Sequence, residues 1–490
     1  MNSTRWSVTP HRRSPVVIAL VVIGLVALAL AWSVPHFIGY VGGGSDDWHY
    51  VEAARCVARD LTCPATTHWA TRYPVVAPMA AAFASLGVHE GAATIVPLGY
   101  AIAALALLVF VVERHWGLRV AAVAGIALVA TTAFNRIVLQ PNVDIPELTL
   151  MLAAAACASI AATSRQQRWA AAAGAFLALA IQTRMSGVVL LPMVIAAAVL
   201  VPPLRRFMPA FVAGLAAPLL AEGLAQAMLT GDALHSWRLA LGHTGVPSDA
   251  LSAHVDTSRS PLFNLDFIGG WKPHSGVALH WSIQGVANLL ISPAIAPVLL
   301  AALALLWLRR RTLSWGSPLV IGLLVGACYT GALIYALAVD PRPRMFLPVA
   351  AVAAGIVARC AVDLWDSGER IVPSAVLAML LATGATAATS RIDTRAAAPL
   401  AARWASEVPG MTVNETTRRA MAFEPVVYRL PVDEGSGRAL MLAFEPCDRW
   451  ASTQRIVRSA RFGPAKRGYW LCDFSRVPDR GPDPGGAPRP

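Results

Sequence analysis

Residues 15–50 read PVVIALVVIGLVALALAWSVPHFIGYVGGGSDDWHY. The run Pro15–Val34 is uncharged, and about 20 apolar residues are what a helix needs to cross ~30 Å of hydrocarbon. Upstream, Arg5, Arg12 and Arg13 lie in a stretch, residues 1–45, that contains no acid. Basic residues flanking a first apolar run keep that flank in the cytosol. Ala29-Leu30-Ala31 resembles a cleavage site, but the run is long and many more follow, so an uncut anchor is expected. Asp46 and Asp47 then emerge on the outer side. Charge is costly in hydrocarbon, so a bare acidic pair this close to a bilayer must sit in water or in a polar, protein-lined cavity.

The rest of the chain repeats the pattern. Its 490 residues are 56% hydrophobic and 14% charged, with a mean hydropathy of +0.56, which excludes a soluble enzyme. Apolar runs at 15–34, 94–112, 119–134, 145–163, 169–183, 187–202, 207–228, 283–308, 317–338, 345–362 and 371–389 predict about eleven transmembrane helices. With the N-terminus cytoplasmic, the inner loops carry Arg114 and Arg119, Arg165 and Arg168, Arg205 and Arg206, Arg309 to Arg311, and Arg370. The net charge of +12 is therefore a topogenic signal and not a nucleic-acid footprint. The count turns on Gln182-Thr183-Arg184-Met185-Ser186-Gly187, where two short runs or one helix with a buried Arg are both compatible with the residues. The expected fold is an all-α polytopic membrane domain, residues 1–390. A small extracytoplasmic α/β domain, residues 391–490, follows, with 16 Lys/Arg against 11 Asp/Glu. Its expected elements are a helix at 397–406 and strands at 426–430 and 439–444. The Ala- and Arg-rich, Lys-poor composition is associated with GC-rich bacterial genomes, and the expected location is a bacterial cytoplasmic membrane.

Cys157, Cys328 and Cys360 fall in apolar runs, whereas Cys56, Cys63, Cys447 and Cys472 fall outside and none lies in an inner loop. Of the three possible connectivities, the simplest in an oxidising compartment is Cys56–Cys63 with Cys447–Cys472; reduced packing cysteines are the alternative.

The first outer loop, residues 35–93, is too apolar for a free linker. Asp46–Arg59 places Trp48, Val51, Ala54 and Val57 on one helical face, and Pro74–Leu86 is a second, shorter run; both read as surface helices at headgroup level. Asp46 and Asp47 also suit the first turn of a helix, where acids satisfy free N–H groups. Asp144 opens the fourth span as Asp144-Ile-Pro-Glu147, either as an N-cap or as a further carboxylate at the same outer boundary. Arg136, Arg184 and the arginines of Asp340-Pro-Arg-Pro-Arg344 sit at outer ends, where Arg is disfavoured, so each calls for an anionic partner, an acid or a lipid phosphate. The loop 230–281 holds His235, His243, His254, His274 and His280 without zinc-motif spacing, and Lys272 with His274 is placed to touch a phosphate.

Together these residues resemble the GT-C membrane glycosyltransferases that use polyprenyl-phosphate sugars, such as the lipid A aminoarabinose transferase and the protein O-mannosyltransferases. The similar features are Asp46-Asp47-Trp-His49-Tyr50, then Arg72-Tyr73-Pro74, Arg136 with Asp144-Ile-Pro146, Thr183-Arg184 and Arg344-Met-Phe-Leu-Pro348. The resemblance implies inverting transfer of a sugar from a polyprenyl-phosphate donor to an envelope glycan, lipid or protein. It implies Asp46 as base, with Asp47 and Asp144 holding the acceptor or a divalent cation. Arg136, Arg184, Lys272 and Arg344 would grip the donor phosphate, and His49, Tyr50, Arg72 and Tyr73 would position the acceptor. A metal, Mg or Mn, held by Asp46 and Asp144, is optional in such enzymes. The competing readings are a secondary transporter, whose ionisable groups belong near the midplane, and a non-catalytic subunit of an envelope-assembly complex.

Overall fold

A computed structural model of the chain describes residues 14–33, 46–192, 194–195, 205–242, 262–264, 278–280, 286, 289–310, 317–333, 343–389, 403, 412–413, 440–443, 455–461 and 468–473. Two compact units divide it. The first takes Met1–Pro35, Tyr50–Gly87 and Gly91–Thr389, the second His36–His49, Val88–Glu90 and Ser390–Pro490.

The helices, in chain order, are α1 (Pro15–Ser33), α2 (Asp46–Arg59), α3 (Tyr73–Leu86), α4 (Glu90–Trp116), α5 (Leu118–Ala130), α6 (Thr132–Asn135), α7 (Asp144–Ser164), α8 (Gln167–Thr183), α9 (Met208–Thr230), α10 (His235–Gly242), α11 (Ala296–Arg309), α12 (Ser317–Gly331), α13 (Leu347–Asp366) and α14 (Ile371–Thr389). Backbone polar groups have no water to bond in hydrocarbon, so a long apolar run has little choice but helix. Among the described residues α1, α4, α7, α9 and Pro343–Asp366 are long and apolar enough to cross a membrane. The 13 residues of α5 fall short of the expected 119–134 span because Thr131 turns to extended backbone before α6. The expected 283–308 span is likewise broken at 292–295, ahead of α11. The ambiguous stretch at 182–187 is resolved as a break: α8 stops at Thr183, Arg184 is extended, and a 3-10 turn, Met185–Val189, follows.

Burial orders the bundle. Helix α13 buries thirteen of its residues, whereas in α9 only Gln226 is buried among the described residues, so α13 is the central helix and α9 a peripheral one. Nevertheless α9 packs on α8 more extensively than any other pair of elements. Glycines make this possible. A Cβ at Gly174 would overlap the Phe211 carbonyl, and one at Gly214 the Ala171 carbonyl, so each glycine lets the backbone of the other helix approach closely. Gly125 on α5 likewise leaves room for Leu25 of α1. Beside that contact the Ser33 hydroxyl donates to the Asn135 carbonyl at 2.8 Å.

Helix α2 has the expected bounds and buries Trp48, Tyr50, Val51 and Ala54. The Cys56–Cys63 disulfide, Cα–Cα 5.9 Å, closes its C-terminal end, as the simplest pairing required. Asp60 shapes the enclosed turn, accepting from the backbone N–H and hydroxyl of Thr62 at 2.8 and 2.7 Å. Cys157, Cys328 and Cys360 are free thiols on helices. The helical pattern is interrupted by an antiparallel strand pair, β1 (Leu262–Asn264) with β2 (Ala278–His280), Leu262 opposite His280.

In the second unit β3 (Thr412–Val413), β4 (Leu440–Ala443), β5 (Arg455–Arg461) and β6 (Gly468–Asp473) form a sheet of order β3-β4-β6-β5. It is parallel between β3 and β4 and antiparallel elsewhere. The strand expected at 439–444 is β4, whereas β5 and β6 were not anticipated. Expected elements at 397–406 and 426–430 lie largely or wholly outside the described residues. Cys472 is in β6, and Cys447, and with it the expected Cys447–Cys472 pairing, lies outside them.

Candidate active site

The chain enters α7 through a buried polar turn. Asn142 donates from its amide to the Ile137 and Gln140 carbonyls at 3.0 and 2.5 Å, and its Oδ1 accepts the Ile145 N–H at 2.9 Å. Asn142, and not Asp144, thus caps the free N–H groups at this helix start. The carboxylate of Asp144, 2% exposed, is left for other partners.

Those partners are two of the misplaced arginines. Arg184 Nη1 lies 2.5 Å from Asp144 Oδ1, and Arg344 Nε 3.5 Å from Oδ2. The α7–α8 hairpin, tight because Arg165 takes a left-handed φ of 58°, returns Arg184 to the level of Asp144. The turn preceding α13, Pro343–Phe346, brings Arg344 there from a distant part of the sequence. One turn below, the Ser186 and Tyr329 hydroxyls both donate to Glu147 Oε1, at 2.5 and 3.0 Å. Neither Glu147 nor Tyr329 was singled out for chemistry in the sequence. Glu147 was visible as the end of Asp-Ile-Pro-Glu, whereas nothing near Tyr329 signals a site.

The Arg72-Tyr73-Pro74 motif is a three-way anchor. Arg72 donates to the Thr183 carbonyl at 2.7 Å, placing a cation on the last turn of α8, where the helix dipole favours it. The Gln226 amide of α9 donates to the Tyr73 hydroxyl, whose pKa is raised by burial. The Tyr100 hydroxyl of α4 donates to the Pro74 carbonyl at 2.6 Å. Arg72 and Tyr73 therefore hold the start of α3 against α8 and α9, next to the residue preceding Arg184.

Asp46 and Asp47 occupy the first turn of α2, with Asp47 buried, His49 half-buried and Tyr50 buried. Arg136 follows α6 and is exposed between the buried Asn135 and Ile137. Lys272 lies outside the described residues. An apolar cavity of about 820 Å³ runs between α4, α7 and α8, with Tyr100, Thr149 and Leu150 among its lining. Thr149 stands on α7 just past Glu147, its hydroxyl donating to the Ile145 carbonyl at 2.8 Å.

A metal on Asp144 does not fit this geometry. Both its oxygens face guanidinium groups, and a cation there would meet two like charges. Among the described residues no three His, Cys, Asp or Glu side chains group to hold an ion. No step is drawn through a metal.

Residues 71–221 match the family model described as dolichyl-phosphate-mannose-protein mannosyltransferase; the interval holds Arg72, Tyr73, Arg136, Asp144 and Arg184. No curated protein matches the chain in sequence. Among solved structures, ArnT from Cupriavidus metallidurans in the apo state is similar over 93% of this chain and 98% of its own, with a TM-score of 0.52 at 15% identity. The fold is the ArnT fold. The Archaeoglobus fulgidus oligosaccharyltransferase in its apo form is similar over 86% of this chain, with a TM-score of 0.51 at 12% identity. AglB from the same organism, in complex with an inhibitory peptide and a dolichol-phosphate, is similar over 85%, with a TM-score of 0.50 at 12% identity. The chain spans 65% and 61% of the lengths of those two archaeal proteins. The resemblance to polyprenyl-phosphate-sugar-dependent GT-C glycosyltransferases is thereby borne out, and the chain is a mainly helical, polytopic membrane protein of the ArnT fold.

Proposed function

We propose that this chain is an inverting glycosyltransferase. It moves a sugar from a polyprenyl-phosphate donor to a glycan, lipid or protein acceptor on the outer face of a bacterial cytoplasmic membrane. The observation that carries the reading is the convergence of Arg184 and Arg344 on Asp144, in a chain whose residues 71–221 match a family of lipid-phosphate-sugar transferases.

The chemistry suits these groups. Phosphate is already a good leaving group, so transfer needs a base on the acceptor and fixed positive charge on the departing oxygens. Each guanidinium has five N–H donors in a planar fork, so the contact with Asp144 leaves donors for phosphate. Asp144 acts as the tether that orients both. The apolar cavity beside Thr149 and Leu150 offers a seat for isoprenoid units reaching away along α7. Asp46 is the base, taking the acceptor proton as the hydroxyl attacks the anomeric carbon and the C–O bond to phosphate breaks, with inversion. Asp47, His49 and Tyr50 stand on the same turns of α2 and position the acceptor; Arg136 and Lys272 supply further charge to the phosphate.

The proposed topology has eleven spans, with a cytoplasmic N-terminus and residues 391–490 outside as a separate domain carrying a Cys447–Cys472 bond. That count puts Asp144, Arg184 and Arg344 at one outer boundary, as their contact requires. The test is release of polyprenyl phosphate from polyprenyl-phosphate sugars by membranes containing the chain. Asp46→Asn is expected to lower the rate by about 10²–10⁴-fold, the contribution of a general base, while binding of undecaprenyl phosphate survives. Normal turnover by the variant removes Asp46 as base.

A further inference from the structure

Glu147 is 0% exposed on the first turn of α7 and has no part in the transfer as written above. Its hydrogen bonding is one-sided. Oε1 accepts from Ser186 and Tyr329 at 2.5 and 3.0 Å, whereas Oε2 is buried with no hydrogen-bond partner among the described residues. A buried carboxylate satisfied on one oxygen is a poor way to stabilise a helix bundle, and an apolar side chain of similar volume would do better.

Its two partners lead to the two arginines. Ser186 lies two residues after Arg184. The Tyr329 oxygen also lies 3.4 Å from the carbonyl of Met345, the residue after Arg344. Asp144 fixes the guanidinium ends, while their backbones arrive from α8 and from the turn before α13; between them the Tyr329 hydroxyl lies 3.3 Å from Ser186 Oγ, and Glu147 Oε1 accepts from both, closing one cluster that joins the two segments. The geometry points to Glu147 as the anchor of that cluster: a positioning residue that sets the separation of Arg184 and Arg344 through Ser186 on one side and Tyr329 on the other. The inference rests on the reading of those arginines as ligands of the donor phosphate, where placement to within about 0.5 Å matters.

Glu147→Gln keeps an oxygen able to accept both hydroxyls, while Glu147→Leu keeps the volume and removes the acceptor. Two readouts on the full-length protein in detergent separate the possibilities: amide hydrogen exchange over residues 184–189 and 343–347, and affinity for undecaprenyl phosphate. In the Leu variant exchange is expected to rise in both segments and affinity to fall by at least about tenfold. The Gln variant is expected to stay within about threefold of wild type. Unchanged exchange and affinity in the Leu variant overturn the proposal. So does a Gln variant as damaged as the Leu variant, since the charge and not the hydrogen bonds would then be what matters. If the Leu variant does not fold, Ser186→Ala is expected to loosen chiefly 184–189 and Tyr329→Phe chiefly 343–347, the smaller effect on the other segment following from the 3.3 Å contact between the two hydroxyls, and no loosening in either overturns the anchor. Absence of wild-type affinity for undecaprenyl phosphate overturns the donor assignment instead, and the exchange pattern still decides the anchor.

Discussion

Asp144 shows how little of a side chain's task its helix position reveals. At the first residue of α7, ahead of Pro146, it fits an N-cap, and the preceding Asn142 takes that task through Ile145. The freed carboxylate holds Arg184, with the two side chains 2% and 13% exposed. Breaking a buried pair by removing one partner costs about 3–5 kcal/mol when the other charge is left uncompensated, and the second contact of Asp144, with Arg344 at 3.5 Å, lowers that cost here. Arg184→Met is therefore expected to lower thermal stability more than the double variant Asp144→Asn/Arg184→Met does. Thermal unfolding of the two variants in detergent checks the order. Equal loss in both would mean that the pair is screened by water. At this scale the sequence was informative about charge and not about partners: Arg184 and Arg344 stood out because Arg is disfavoured at outer ends. Glu147 and Tyr329 could not be linked, because they lie 182 positions apart and no local pattern joins them.

Helices were the most legible level, and their ends the least. The acidic pair marked the start of α2, and Asp144 with Pro146 marked that of α7. A local pattern fails where tertiary packing decides. The termination of α5 at Ala130 is of that kind, whereas the interruption at 292–295 falls on Ser292-Pro293, a local helix-breaking signal that the apolar count passed over. The α8–α9 contact also belongs here. Gly174 and Gly214 could be read as ordinary small residues of a membrane helix, yet each faces a backbone carbonyl of the other helix. Gly214→Leu is expected to push α9 off α8 and to cost about 1–3 kcal/mol, as overpacking does. Gly24→Leu, at a glycine with open space around it, is expected to cost less. Thermal unfolding compares the two, and equal effects would contradict a backbone-to-backbone contact.

For the whole molecule, composition and the rhythm of apolar runs sufficed to read a polytopic helical protein, because hydrocarbon leaves the backbone so few options. The strands β5 and β6 escaped notice: β5 is broken by Arg455, Arg458 and Arg461, and β6 is a short apolar run without a polar–apolar alternation. The orientation is an arithmetic consequence of arginine-bearing inner loops and is open to a direct check. In a background lacking Cys157, Cys328 and Cys360, Ser85→Cys is expected to react with a membrane-impermeant maleimide on intact cells. Ser367→Cys, in the exposed turn between α13 and α14, is expected to react only after permeabilisation. The opposite pattern would turn the Asp144 cluster toward the cytosol.

The central claim is that Arg184 and Arg344 grip a lipid-linked phosphate. Arg344 is the better probe, being 27% exposed and the longer of the two contacts to Asp144, so its loss leaves the Arg184 pair in place. The decisive measurement is the affinity of purified Arg344→Gln for undecaprenyl phosphate against that of the wild-type protein. A charge-assisted hydrogen bond contributes about 1.5–3 kcal/mol, so binding is expected to weaken by about 10- to 100-fold with folding intact. Wild-type affinity in the variant would contradict it.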